Sequence, residues 1–430
     1  MRQEFEKIQS VRGSLKLCGD KSISHRAVMF ASMADGVSHI FNCSESEDVS
    51  SSIACFEKLG CTFVRKGDTV TVTGKGFKGF SKPKEALYAG NSGTTTRLIS
   101  GILCAQNFET EITGDESLSR RPMTRIIWPL RLMGARISGN ENGMLPLYIE
   151  PPFSLKPVNY RLQIPSAQVK SALLLCGLHI EEETAILEPV ATRNHTEKLL
   201  GLRVEPSALG KKIYVSKKNY PQPFDITVPS DISSAAFFIV LTLLSKRSEI
   251  VMENLSVNET RTGIIEILRE MGAKIEIEDL RKEKGEDIGN VRVLSSKLKN
   301  VPIPESLVPN IIDEIPVLAV AGIFAKGNFK ITNAKELRIK ESDRIKSLCQ
   351  NFRRAGLDVK EFDDGFELIG EASERNTMFE SFGDHRIAMA FGVLSMLTKE
   401  GGAVNDFECA AISNPDFMKQ VKSLAQSSKI

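Results

Sequence analysis

Two hydrophobic rhythms alternate along this 430-residue chain. Apolar positions three and four apart predict helices, and stretches alternating apolar with polar predict strands. One junction recurs: an apolar helix end runs into a glycine and then into an alternating stretch. It is written CFEKLGCTFV (55–64), LRLMGARIS (130–138), KLLGLRVE (198–205), ILREMGAKIEIE (267–278) and NFRRAGLDVKEF (351–362). Gly60, Gly134, Gly201, Gly272 and Gly356 are spaced by 74, 67, 71 and 84 residues. Glycine suits the left-handed position that closes a helix. A sixth unit would end with DFMKQVKSL (416–424), so six units of about seventy residues fill the chain. Units this short must pack on one another, and three plus three is the natural division into two domains. The extended segment PQPFDITVPSDISSAAFF (221–238) is the candidate boundary, because a Pro-rich stretch meets a fresh helix start there. A single large domain with incidental glycines is the competing reading.

The helix starts carry unusual side chains. In GDKSISHRAVMFA (19–31), Gly19 and Asp20 form a turn and the helix begins near Ser22, with Lys21 beside its free end and Ser22 and Arg26 on one face. The first N–H groups of a helix lack internal partners and the dipole is positive there, so these bases make a concentrated anion site. AGNSGTTTRLISGIL (89–103) offers a turn of backbone donors in which Gly93 leaves room for a ligand. SRRPM sets Arg120 and Arg121 before Pro122, which fits a first helical position. IPSAQVKSALLL (164–175) brings Ser166, Ala167 and Gln168 to another start, and RNHTEKLL (193–200) adds Arg193. In RIKESDRI (338–345), Lys340 and Arg344 read as one helical turn apart with Glu341 alongside. In FGDHRIAMAF (382–391), Asp384 is placed to cap while Arg386 faces the open N-terminus. Taken singly each has a plain reading as a cap or a solvated face. Together they predict helix N-termini converging on a cleft for phosphates and carboxylates.

Two acids fit such a cleft only as proton carriers. NIIDEIPVLAVAG (310–322) opens an apolar helix with Asp313 and Glu314, and Glu341 sits between Lys340 and Arg344. Carboxylates among cations can supply a base and an acid, with environment deciding which is which. For Asp313 and Glu314, compensation of the helix dipole is the alternative.

Composition narrows the classes. The chain is 41% apolar and 26% charged, ordinary for a folded protein. Its 56 bases against 54 acids give a net charge of +2, which argues against a general nucleic-acid or membrane-surface binder. The longest apolar runs, such as AAFFIVLTLL (235–244), are too short for a membrane span, and MRQEFEKIQS is unlike a signal peptide. The eight cysteines, Cys18, Cys43, Cys55, Cys61, Cys104, Cys176, Cys349 and Cys409, form no CxxC, and the five histidines form no HxxxH. Reduced, mostly buried thiols in a cytoplasmic protein are expected, not a zinc site or a disulfide framework.

The ordered set GDKSISHRA, GNSGTTTRL, TGDESLSRRPM, SAQVKSALL, DEIPVLAVA, RIKESDR and GDHRIAMAF resembles the 5-enolpyruvylshikimate-3-phosphate synthase family over nearly the whole chain. The resemblance implies an α/β fold of two similar domains, each of three βαβαββ-type units around buried helices. It places residues 1–19 with 235–430 in one domain and 20–234 in the other, with the active site in the cleft between them. It implies transfer of the enolpyruvyl group of phosphoenolpyruvate to the 5-hydroxyl of shikimate 3-phosphate, with release of phosphate. Lys21, Ser22, Arg26, Ser166, Ala167, Gln168, Arg193, Asp313 and Lys340 match contacts to shikimate 3-phosphate. Lys21, Gly93, Arg121, Gln168, Arg344 and Arg386 match contacts to phosphoenolpyruvate. Asp313 matches the base at the 5-hydroxyl and Glu341 the acid at the methylene carbon, with Lys21 sharing the proton work. No metal or organic cofactor, no nucleic-acid or membrane partner and a monomeric state are expected. So is inhibition by glyphosate, an anionic competitor for the phosphoenolpyruvate site.

The chain departs from some members in having SAQ and Arg193 where they have SSQ and a Ser/Tyr pair, which places it with the divergent bacterial branch. Ile412 also stands where members place a lysine near the final motif, so no C-terminal lysine is carried over. Three rivals remain. A UDP-N-acetylglucosamine enolpyruvyl transferase would need a cysteine-bearing loop, and 104–121 offers only Cys104. A polyanion binder would not need Asp313 or Glu341. A phosphotransferase would want a carboxylate pair beside a GK[ST] loop.

Overall fold

All five helix-ending glycines adopt the left-handed backbone, with φ of +96° at Gly60, +89° at Gly134, +59° at Gly201, +101° at Gly272 and +90° at Gly356. The strands that follow are Thr62–Lys66, Arg136–Ser138, Arg203–Ser207, Lys274–Glu283 and Asp358–Phe362. The computed structural model describes residues 1–370, 372–374 and 376–426, and the strands among them form six sheets.

One sheet shows the rule. Leu87–Tyr88 lies parallel to Thr110–Thr113, which pairs antiparallel with Leu147–Glu150, which pairs antiparallel with Arg136–Ser138. The parallel pair needs a crossover, and helix Gly93–Leu103 supplies it. The spatial order first–second–fourth–third recurs in Asn159–Arg161, Thr184–Glu188, Gly210–Val215 and Arg203–Ser207. Two further sheets borrow their first strand from elsewhere in the chain. Asp225–Thr227 lies parallel to Val37–Phe41, and Ser10–Lys16 lies parallel to Glu249–Ser256. This is the βαβαββ-type architecture, used repeatedly.

The chain divides into two compact units. The first comprises Met1–Cys18, Pro229–Arg281 and Asp287–Ile430; the second comprises Gly19–Val228 and Lys282–Glu286. The boundary expected at 234/235 is corrected to Val228/Pro229. Asp231 caps helix Ile232–Leu244 through the Ser233 N–H at 2.7 Å, and that helix is buried along its length. A boundary at 235 would cut an element that packs as one piece. Residues 282–286, the turn between strands Lys274–Glu283 and Glu286–Leu294, group with the second unit, which the sequence did not suggest.

In the second unit, helices Lys21–Met33, Gly93–Leu103 and Ala167–Gly177 are buried almost throughout. A β-carbon on Gly101 would stand 2.1 Å from the Ala172 carbonyl oxygen, so glycine lets the last two helices approach. In the first unit the corresponding helices are Ile232–Leu244, Ile315–Ile323 and His385–Leu397. Helices apolar on all sides belong inside a core, where they present their N-terminal turns rather than a face. Of the eight cysteines, Cys18 and Cys409 are partly exposed and the other six are buried. Among the described residues, no single helix is long and apolar enough to cross a membrane.

Candidate active site

The candidate residues form two groups, one in each unit. In the second unit, Asp20 caps the first helix by accepting from the Ile23 N–H at 2.9 Å, so the helix begins at Lys21. Lys21 Nζ pairs with Asp48 Oδ2 at 2.8 Å. Arg26 is only 3% exposed and donates to the Thr196 hydroxyl at 2.7 Å, the Ser171 hydroxyl at 2.9 Å and the Ser22 carbonyl at 2.8 Å. Burial pushes its guanidinium down to about 10, with Arg193 also acting against it and Glu197 and Asp20 resisting. Arg26 therefore stays charged at neutral pH, and among the described residues its hydrogen bonds go to neutral oxygens. Burial, with the charges of Lys21 and Arg26, holds neighbouring His25 well below an ordinary histidine.

The NSG turn assembles around side-chain amides. Ser92 caps helix Gly93–Leu103 by accepting from the Thr95 N–H at 3.1 Å. Arg121 Nη2 donates to Asn91 Oδ1 at 2.6 Å, and Asn91 donates to Asp115 at 2.6 Å. Gln168 accepts from Arg97 Nη1 at 2.6 Å and donates to the Thr94 hydroxyl at 3.0 Å. A β-carbon on Gly93 would lie 2.7 Å from Arg97 Nη1 and 3.5 Å from Arg121 Nη1. Gly93, Arg97, Arg121 and Gln168 thus surround one helix mouth. Ser166 caps helix Ala167–Gly177 by accepting from the Val169 N–H at 3.4 Å, with Ala167 as its first residue. Arg193 precedes the short helix His195–Leu200. Its loop is braced by wholly buried Lys170, which pairs with Glu188 and Glu197 at 2.6 Å each.

The first unit gathers the other group around one carboxylate. Asp313 Oδ1 lies 3.2 Å from Arg344 Nη1, 3.5 Å from Lys340 Nζ and 3.8 Å from Arg386 Nε. Arg386 Nη1 also donates to the Asp313 carbonyl at 3.0 Å. Arg344 is fully buried and donates to Asp384 at 2.8 Å and to Glu341. Burial works against its charge, but Asp384, Glu341 and Asp313 together raise its pKa above the ordinary arginine value. Asp384 caps helix His385–Leu397 through the Arg386 N–H at 2.9 Å, as the sequence predicts.

Two local expectations are corrected. Lys340 and Glu341 are not on a helix: a 3-10 turn, Lys335–Ile339, ends in extended backbone at Lys340, and Asp343 caps a new helix at Arg344. That bend turns Lys340 back toward Asp313. Pro122 is not a first helical position either, since the helix runs Thr124–Leu132. Sequence reasoning passed over Asp48, the partner of Lys21. It also passed over Arg97, whose place four residues after Gly93 was the available signal.

Comparisons with known proteins show the family and the fold. The family model described as EPSP synthase (3-phosphoshikimate 1-carboxyvinyltransferase) matches residues 5–421. A 3-phosphoshikimate 1-carboxyvinyltransferase of Oceanobacillus iheyensis is 42% identical over 419 residues, covering 96% of this chain and 97% of the relative. One of Alkaliphilus metalliredigens is 43% identical over 422 residues, covering 98% and 99%. The EPSP synthase structure from Acinetobacter baumannii superposes with a TM-score of 0.86 at 39% identity, covering 99% of this chain and 98% of that one. The enolpyruvyl transferase NikO from Streptomyces tendae shares the fold, with a TM-score of 0.76 at 14% identity, covering 98% and 96%.

Proposed function

The chain belongs to the EPSP synthase family, and from that membership we propose how its side chains divide the work. The reaction is transfer of the enolpyruvyl group from phosphoenolpyruvate to shikimate 3-phosphate, a step of aromatic biosynthesis that releases phosphate.

In our reading both groups of residues serve this one reaction. Lys21, Ser22, Arg26, Ser166, Ala167, Gln168, Arg193 and Lys340 bind shikimate 3-phosphate. Lys21, Gly93, Arg121, Gln168, Arg344 and Arg386 bind phosphoenolpyruvate. Asp313 contacts the 5-hydroxyl and takes its proton as the oxygen bonds to the central enol carbon. Glu341, with Lys21 nearby in role, delivers a proton to the methylene carbon, which becomes a methyl group in a tetrahedral intermediate. Loss of a proton from that methyl and departure of phosphate restore the double bond. Cations fixed in advance around the developing charges lower the barrier without reorganising.

The observation that supports this most is the convergence of Lys340, Arg344 and Arg386 on the single Asp313 carboxylate. A dipole-compensating acid would not require three cations. The test is phosphate release with phosphoenolpyruvate alone, with shikimate 3-phosphate added, and with UDP-N-acetylglucosamine in its place. Release only with shikimate 3-phosphate is expected; release with the sugar nucleotide would overturn the acceptor.

The same reading makes the enzyme a cytoplasmic monomer that binds glyphosate in competition with phosphoenolpyruvate. Saturation kinetics unmoved by glyphosate would remove that last element.

A further inference from the structure

Glu314 has no part in the chemistry above, yet it is more deeply buried than Asp313 beside it, at 1% against 8% exposure. Its side chain has no accessible surface, so it cannot touch a substrate. It ends a buried relay: Arg261 Nη2 donates to the Ser233 hydroxyl at 2.5 Å, and that hydroxyl donates to Glu314 Oε1. Arg261 is itself 1% exposed and lies 3.5 Å from Asp231, the cap of helix Ile232–Leu244. Glu314 Oε1 also lies 3.8 Å from Arg386 Nη1, while its Oε2 is buried with no hydrogen-bond partner among the described residues.

We propose that Glu314 is a positioning residue, fixed by Arg261 through Ser233, that holds the Arg386 guanidinium in place for phosphoenolpyruvate. The geometry gives the reason. Arg386 is held by the turn 313–314 in two ways, by the Asp313 carbonyl at 3.0 Å and by the Glu314 charge. The Asp313 carboxylate stands equally near, 3.8 Å from Nε. Without the Glu314 charge the guanidinium is drawn to Asp313 alone. It would then neutralise the base and leave the position from which it meets an anionic substrate. The relay prevents this by anchoring Glu314 to two different helix starts, near 231 and at 315. The inference rests on the assignment of Arg386 to phosphoenolpyruvate.

The test compares Glu314→Gln, Ser233→Ala, Ser233→Thr and Arg386→Ala in the full-length enzyme, with steady-state kinetics in both substrates and a Tm for each variant. Glu314→Gln keeps the hydrogen bond from Ser233 but loses the charge. It is expected to raise KM for phosphoenolpyruvate about tenfold, with KM for shikimate 3-phosphate changed less than about twofold. Ser233→Ala should move the same constant in the same direction by a smaller factor, and Ser233→Thr should restore it. A residue that only supports the fold would lower Tm and leave both KM values of the folded enzyme alone, or raise them together. Either result overturns the proposal. If Glu314→Gln does not fold, the Ser233 pair decides: no selective change in Ser233→Ala overturns it. If Arg386→Ala raises KM for phosphoenolpyruvate and Glu314→Gln does not, this inference alone fails. If Arg386→Ala leaves that constant unchanged, the substrate assignment of Arg386 fails and takes the inference with it.

Discussion

Arg26 and Arg344 are both buried guanidiniums, 3% and 0% exposed, and their surroundings push them in opposite directions. Arg26 donates to two hydroxyls and a carbonyl, and burial drags it down to about 10. Arg344 suffers the same burial but faces Asp384, Glu341 and Asp313, which raise its pKa. A cation held by neutral oxygens keeps most of its charge for a ligand, so Arg26 suits a phosphate or carboxylate. A cation among three acids has its charge more than matched, so Arg344 orders the carboxylates around it. One residue type is thus held by neutral oxygens in one unit and by carboxylates in the other.

Four substitutions break or sharpen that contrast. The largest effect belongs to Asp313→Asn. It should lower kcat by about a thousandfold while both substrates still bind, measured by phosphate release and equilibrium titration. Arg344→Met comes next, because it leaves three acids facing one another. Urea unfolding should show a loss of about 3–5 kcal/mol. Arg26→Met removes a charge held by two hydroxyls and a carbonyl. It should cost shikimate 3-phosphate about 1.5–3 kcal/mol of affinity, seen by calorimetry, with a smaller change in the urea midpoint than Arg344→Met. Gly93→Ala pushes on the end of Arg97 rather than on backbone. A several-fold rise in KM for phosphoenolpyruvate with little change in Tm is expected, about 1 kcal/mol in all.

The smallest effect at neutral pH is at His179, packed against Phe77 and Tyr220. Burial lowers it from 6.5 to about 4. The unfolded chain therefore binds the extra proton across that window. The stability supplied by neutral His179 is present above pH 6.5 and is lost as pH falls toward 4. His179→Gln should flatten the pH dependence of urea stability there by on the order of 1 kcal/mol per pH unit.

Much of the fold was legible because its rules are local. A glycine after an amphipathic run announces both the left-handed turn and the strand beyond it, and Gly60 through Gly356 all obey. Caps are equally local, so Asp384 was readable from FGDHR. Spacing misled at Lys340, where a 3-10 turn and the Asp343 cap break the helix that a four-residue interval suggests. The Pro-rich stretch 221–238 does span the crossing at Val228/Pro229, whereas the boundary taken from the resemblance, 234/235, falls inside helix Ile232–Leu244, because likeness of motifs marks no element edge. Long-range pairs were invisible. Lys21 finds Asp48 across 27 positions, Arg261 finds Ser233 across 28, and Ser233 finds Glu314 across 81. Their distance in sequence carries no periodic signal, and only the packed helix starts bring them together.

The most direct test of the division of labour is calorimetric titration of shikimate 3-phosphate into Arg26→Met and Asp313→Asn, with phosphate release measured on the same preparations. Weakened binding in Arg26→Met and near-native binding without turnover in Asp313→Asn are expected. Near-native affinity in Arg26→Met, or normal turnover in Asp313→Asn, would contradict that division of labour.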